Sequence, residues 1–302
     1  MRIEKMAPLL VVLAATFWGI DSIVLRPALY TLPVSLVVFI ESLLVTVLLS
    51  FFFFRRIKEI ADFSKKEWLA FWGVAITGGA IGTMAITKAL FYVDFVNLSI
   101  VVLIQKLQPV FTLAGAAILL KERQPKIFFL WAALAMIGAY VMTFGLESPK
   151  IDTGNHIVMA AGLALIAAIS FSLSTIFSKR ALRRIDYGLG TYVRFLAFTA
   201  VMLLIVVPSG KLGEVSSVSN DQWIIFIIIA LTTGSLATYL FYSGLKHISA
   251  SLSSICELAF PLTAILLEFL LRDHLLNYIQ WTGVAILFFS IFRVSRLNSV
   301  KK

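Results

Sequence analysis

Charge is what this sequence has least of. Only 14% of its 302 residues are charged, while 60% are apolar. A water-soluble chain of this length needs about a quarter charged residues to cover its surface, so a soluble globular fold is excluded. Histidine and cysteine are nearly absent. The three histidines, His156, His247 and His274, are scattered, and no His-Glu-x-x-His spacing occurs. The single cysteine, Cys256, excludes an intramolecular disulfide and any Cys/His metal cluster. There is no Walker loop, so ATP cannot drive work from this chain. These absences predict a non-enzyme with no catalytic residues, no metal and no cofactor. Long polar stretches are missing too, which leaves no room for a soluble domain between the apolar blocks.

Those apolar blocks are what the chain does contain. A bilayer core of roughly 30 Å needs about 20 helical residues to cross it. Blocks at 7–26, 32–54, 68–92, 96–120, 126–145, 156–178, 188–208, 222–244, 249–271 and 276–293 meet or approach that length. They do not alternate residue by residue, as barrel strands would. The N-terminus resembles a signal sequence, with Arg2 and Lys5 before an apolar run from Ala7. It shows no small-residue cleavage site, and more spans follow, so it reads as a retained first helix. The fold class expected is all-α integral membrane, with ten transmembrane helices.

The net charge of +10 would suggest nucleic acid in a soluble protein. Here the basic residues sit in loops, where cytoplasmic flanks attract them, and no nucleic-acid partner is expected. With the N-terminus inside, the inner segments hold Arg2 and Lys5, Arg55 to Lys66, Lys121 to Lys126, Lys179 to Arg184, Lys246, and Arg293 to Lys302. The outer segments hold only Arg26, Lys150, Lys211 and Arg272. That bias predicts a multi-pass protein of the cell inner membrane with both termini cytoplasmic.

The halves also match each other. Pro109 sits mid-span in the fourth block and Pro261 in the ninth, and Gln105 then aligns with Glu257. With one residue of drift, Arg26, Ala28 and Leu29 fall over Lys179, Ala181 and Leu182, and Glu41 over Arg194. Mid-helix proline costs about 3 kcal/mol and is not placed idly. Five spans per half is an odd number, so two copies enter the membrane in opposite senses. Residues 1–150 are therefore read as one five-helix repeat and 151–302 as a second, inverted one. Inverted repeats mark many secondary transporters, with the site between halves near mid-membrane.

Local motifs now point to a family. The first block carries Phe17-Trp18-Gly19 and Arg26-Pro27-Ala28. The third ends in Lys88-Ala89-Leu90-Phe91-Tyr92. The fourth runs from Leu107-Gln108-Pro109-Val110-Phe111 to Leu119-Leu120-Lys121-Glu122-Arg123, and Gly138 follows in the fifth. The second half carries Phe241-Tyr242-Ser243-Gly244-Leu245 and Phe260-Pro261-Leu262. In order, spacing and copy number these resemble the drug/metabolite transporter superfamily, specifically its EamA-like ten-helix exporters. The resemblance implies two inverted repeats around a central cavity lined by helices 1–4 and 6–9, with helices 5 and 10 outside. Helix 7 keeps the family's Arg-Phe as Arg194-Phe195, whereas helix 2 has Glu41-Ser42.

Candidate site residues follow from charge at depth. An ionisable side chain at mid-bilayer costs at least about 2.5–3.5 kcal/mol. Asp21, Glu41, Lys88, Lys106, Arg194, Glu257 and Glu268 carry both signs, so they can pair. Arg194 and Glu268 lie near span ends and are read as structural. Gln105, Lys106 and Gln108 form a polar cluster one turn before Pro109, which cannot donate to the carbonyl of Gln105. Trp18 lies on the face of Asp21, and Tyr192 and Tyr239 occur near polar residues. The expected substrate-binding set is Trp18, Asp21, Glu41, Lys88, Gln105, Lys106, Tyr192, Tyr239 and Glu257, with Pro109 and Pro261 as hinges. Glu41 is expected to pair with Lys106.

The function expected is a secondary exporter of small polar or amphipathic metabolites, such as amino acids, working by alternating access. Its partners are that small-molecule substrate, protons taken up by a buried carboxylate, and membrane lipid. The alternative is a non-transporting assembly or sensor module.

Overall fold

The computed structural model describes residues 2–92, 101, 104–147, 155–272 and 276–297. All regular structure among them is helical. Nine stretches are long and apolar enough to cross a membrane: α1 (Lys5–Leu29), α2 (Val34–Ala61), α3 (Lys65–Ala89), α5 (Lys126–Phe144), α6 (Val158–Ala181), α7 (Tyr187–Val206), α8 (Asn220–His247), α9 (Ala250–Leu271) and α10 (Tyr278–Leu297). The shorter α4 (Gln108–Leu119) stands where the fourth span is expected. Much of that span's first part, residues 93–100 and 102–103, lies outside the described residues, as does the side chain of Glu268.

The helix starts are written locally. Ser64 and Glu67 form a reciprocal capping box before α3, and Ser219 and Gln222 form another before α8. Each satisfies two backbone N–H groups that the first turn leaves orphaned. Ten residues on, both helices widen into a π segment, Ala75–Gly82 in α3 and Ala230–Leu236 in α8. Hydroxyls compete for the helical ladder there. Thr77 Oγ1 donates to the carbonyl of Gly73 at 2.7 Å, and Thr232 Oγ1 to that of Ile228 at 2.6 Å. A third π segment, Asp21–Leu25, interrupts α1 and leads into a 3₁₀ turn at Arg26–Leu29.

Packing follows a reciprocal pattern. Helix α1 lies against α8 and α9, and α6 lies against α3 and α4. Helix α2 packs on α7, and α4 meets α9. The remaining two, α5 and α10, pack chiefly on each other. Their backbones touch at two glycines. A Cβ on Gly138 would stand 2.6 Å from the amide nitrogen of Leu287, and one on Gly283 would run into the backbone of Met142. The buried interior is filled by Phe71, Phe226, Tyr242 and Leu245, among others. The lone thiol, Cys256, is buried in α9, with Sγ 3.7 Å from Ser295 Oγ of α10.

The end that carries the basic loops is tied by polar bonds across the bundle. The carboxylate of Glu122 accepts from the backbone N–H groups of Ala250 and Ser251 at 2.8 and 3.1 Å, which caps α9 from outside. Lys179 Nζ donates to the carbonyls of Leu245 and Lys246, and Lys246 Nζ to that of Ile185. Asp186 caps α7 through the N–H groups of Gly188 and Leu189 and pairs with Arg56 at 3.1 Å.

Candidate substrate site

The π segment of α1 builds the first polar cluster. In an α-helix, residues five apart point about 140° away from each other. The i→i+5 ladder of a π turn stacks them instead. The Arg26 N–H bonds the carbonyl of Asp21, and their side chains meet. Arg26 Nη2 and Nε reach Asp21 Oδ2 at 2.7 and 3.1 Å. The same guanidinium lies 3.3 Å from Glu41 Oε1 on α2. Two carboxylates thus share one cation. Asp21 is buried, and its Oδ1 has no hydrogen-bond partner among the described residues.

This arrangement corrects the expected pair. Glu41 is engaged by Arg26, and Lys106 is not its partner. The reason is local: the widened turn in α1 swings Arg26 back from the helix end towards Glu41. Arg26 itself, read from the sequence as an outer-loop charge, belongs to the cluster. Its one signal was its place in the Arg26-Pro27-Ala28 motif.

The second cluster surrounds two helix breaks. Helical turns precede Lys106, which forms a turn with Leu107 before α4 begins, so Pro109 opens a new helix and does not kink a continuous one. In α9 a matching turn at Glu257 and Leu258 precedes Pro261. The carbonyl of Glu257 is still bonded there, by the N–H of Phe260. Across the breaks, Gln108 Nε2 lies 3.5 Å from Glu257 Oε2, and Ser253 Oγ donates to Oε1 at 3.1 Å. Ser172 of α6 donates to the carbonyl of Gln108 at 3.0 Å, and Gln105 Nε2 donates to that of Ala164 at 3.0 Å. Lys106, at the break before α4, is buried, and its amine has no hydrogen-bond partner among the described residues. Gln108, part of the polar cluster read from the sequence, meets Glu257 here, and Ser253 joins the site without having been singled out. Arg194 lies over the Tyr242 ring at 5.4 Å.

Trp18 crosses from α1 to the π segment of α8, where its Nε1 donates to the carbonyl of Thr233 at 3.0 Å. Its ring lies 5.3 Å from Phe241. The other expected residues stand apart. Tyr192 is buried between α7 and α2, accepting from Ser50 at 3.1 Å and stacking on Phe53. Tyr239 is exposed and meets Tyr187 edge-on. Lys88 is exposed near the end of α3, with its ammonium 5.8 Å from the Tyr92 ring.

Buried charges of both signs, amide side chains and two helix breaks make an interior that can hold a polar solute. Residues 5–144 and 158–296 match the EamA-like transporter family. The chain belongs to that family. It is 39% identical to the riboflavin transporter ImpX of Fusobacterium nucleatum over 96% of this chain and 97% of that protein. It is 26% identical to the uncharacterised transporter sll1164 of Synechocystis, over 76% of this chain and 65% of the relative. A protein known from its crystal structure superposes with a TM-score of 0.76 at 16% identity, covering 97% of both chains, and so shares the fold. This family member is therefore a multi-pass membrane transporter of a small molecule, not an enzyme.

Proposed function

We propose that this EamA-like protein carries riboflavin, or a flavin close to it, across the cell inner membrane. The observation that carries the reading is the identity with the riboflavin transporter of Fusobacterium nucleatum along nearly the whole length of both chains. The interior suits such a solute. Riboflavin is amphipathic, with a flat ring whose polar edge needs donors and acceptors, and Gln105, Lys106, Gln108 and Glu257 supply both kinds. The flavin narrows the class of polar or amphipathic metabolites expected from the sequence.

In this proposal ten spans form two inverted repeats, residues 1–150 and 151–302, and the solute moves by alternating access. The matched capping boxes and π segments of α3 and α8, the matched breaks at Lys106 and Glu257, and the reciprocal packing support it. The solute gradient and the gradient of the coupling proton together set the direction, and the family resemblance favours net export. Asp21 and Glu41, sharing one guanidinium, are the carboxylates placed to carry a coupling proton. Both termini face the cytoplasm, and lipid covers the rest of the bundle.

The test is riboflavin flux into proteoliposomes holding the purified chain, followed by flavin fluorescence. Protein-dependent, saturable uptake is expected. Vesicles no more permeable than protein-free ones would overturn the reading and return the chain to a non-transporting role.

A further inference from the structure

Arg194 holds a guanidinium with nothing to bond. It carries five N–H donors, and among the described residues no acceptor or carboxylate meets them. The residue is half-buried seven positions past the start of α7, about 10 Å along the helix. A charge kept at such depth has a partner, a proton path or a solute to serve. Its guanidinium lies over the Tyr242 ring at 5.4 Å and over the Phe195 ring at 5.9 Å. Tyr242 is fully buried, so the charge points into the bundle and away from lipid. A ring face holds a cation without using its N–H groups, which leaves the fork of the guanidinium free.

The charge that faces it is Glu257. The two interact electrostatically, yet they stand outside the roughly 4 Å of a direct ion pair. Their helices do not close the distance, because α7 packs on α2, α3 and α8, and α9 on α1, α4 and α10. Helix α6 gives the frame. Its Ser178 bonds the Tyr242 hydroxyl at 2.9 Å, on the Arg194 side. Its Ser172 bonds the carbonyl of Gln108 at 3.0 Å, and the Gln108 amide lies 3.5 Å from Glu257 Oε2. The two serines are about 9 Å apart along the helix axis. Oε2 is open to a stronger donor, since 3.5 Å is the outer limit of a hydrogen bond. A cation with free donors and an anion with a free acceptor thus stand apart across the interior.

An opposed pair held apart suits a solute of no net charge that accepts on one side and donates on the other. A hydroxyl does both. We propose that Arg194 and Glu257 clamp the ribityl chain of the flavin. The guanidinium donates to hydroxyl oxygens, and the carboxylate accepts from hydroxyl hydrogens. Successive hydroxyls along a chain offer a forked donor two oxygens at once. This rests on the flavin reading above and assigns Glu257, together with Arg194, to one part of the solute. It also moves Arg194 out of the structural role that its place near a span end suggests.

Riboflavin, lumiflavin, 3-methylriboflavin and flavin mononucleotide, titrated against the purified full-length chain by fluorescence quenching, separate the possibilities. Lumiflavin lacks the ribityl chain and should bind the parent about tenfold or more weakly than riboflavin. 3-Methylriboflavin keeps the chain and should bind like riboflavin. Flavin mononucleotide, whose phosphate ends the same chain, should bind more weakly because Glu257 repels it. Arg194→Met should weaken riboflavin about tenfold or more and leave lumiflavin within about twofold. The inference is overturned if the parent binds lumiflavin as tightly as riboflavin, or if folded Arg194→Met keeps the parent's discrimination between them. It is equally overturned if the mononucleotide binds more tightly, which makes Arg194 an anion site, or if methylating the ring costs more than losing the chain. Should Arg194→Met fail to fold, Arg194→Lys, which keeps the charge and loses the fork, takes its place. Lumiflavin on the parent chain decides if neither folds. A parent chain that neither binds nor moves riboflavin sinks the flavin reading itself. One that moves riboflavin and lumiflavin alike sinks only the clamp.

Discussion

At the scale of single residues, buried charge is legible in the sequence and its partners are not. Asp21, Glu41, Lys106 and Glu257 stand out because an apolar span tolerates such residues only with a reason. Which of them meet depends on helix rotation, and a π turn in α1 changes that rotation by roughly one residue. Glu41 therefore finds Arg26. Exposed and buried lysines look alike on paper, yet Lys88 is exposed and Lys106 is buried. Outside the spans, Asp186 offers a pH test. Burial pushes its carboxyl up, but the N–H groups of Leu189 and Gly188 and the Arg56 guanidinium outweigh that and hold it below the usual carboxylate range. Its stabilisation is then complete above the ordinary value of about 4 and is lost as pH falls through the lowered folded value. Asp186→Ala should cost about 1 kcal/mol near neutrality, mostly as a lost cap, because the exposed ion pair is screened. The gap in thermal midpoint between parent and variant should close in acid. A gap that stays constant down to pH about 2 would show that the charge plays no part.

At the scale of elements, the spans are legible and their irregularities are not. Hydropathy and length place the long helices to within a few residues. They cannot show that α4 starts afresh at Gln108, because the same proline is compatible with a kink or a break. The π segments are likewise silent, since their small and hydroxylated residues also suit ordinary helix packing. Tightness between elements is testable at glycines. Gly283→Ala forces α10 off the backbone of Met142 and should destabilise by about 1–3 kcal/mol. Gly162→Ala on α6 meets no atom within 4 Å and should be neutral, or stabilising by up to about 1 kcal/mol through helix propensity. Thermal unfolding of the two variants in one detergent is the comparison. Equal shifts would mean that the α5–α10 crossing is looser than its geometry.

At the scale of the whole molecule, the basic residues and the polar ties gather at one end. Glu122, Lys179, Asp186 and Lys246 join loops there to helix termini from other parts of the chain. The charge bias predicts that this end faces the cytoplasm. A fluorescent-protein fusion at the C-terminus should glow, and a periplasmic phosphatase fused at the same place should be inactive. The reverse pair of results would invert the molecule. The burial of Cys256 against Ser295 has a practical side as well. Maleimides react with exposed thiolates, and a thiol packed between two helices offers none. The unaltered chain therefore serves as its own blank. Every dye or spin label attached to an engineered cysteine reports that position alone, and no cysteine-free background, with whatever its mutation would disturb in α9, has to be made first.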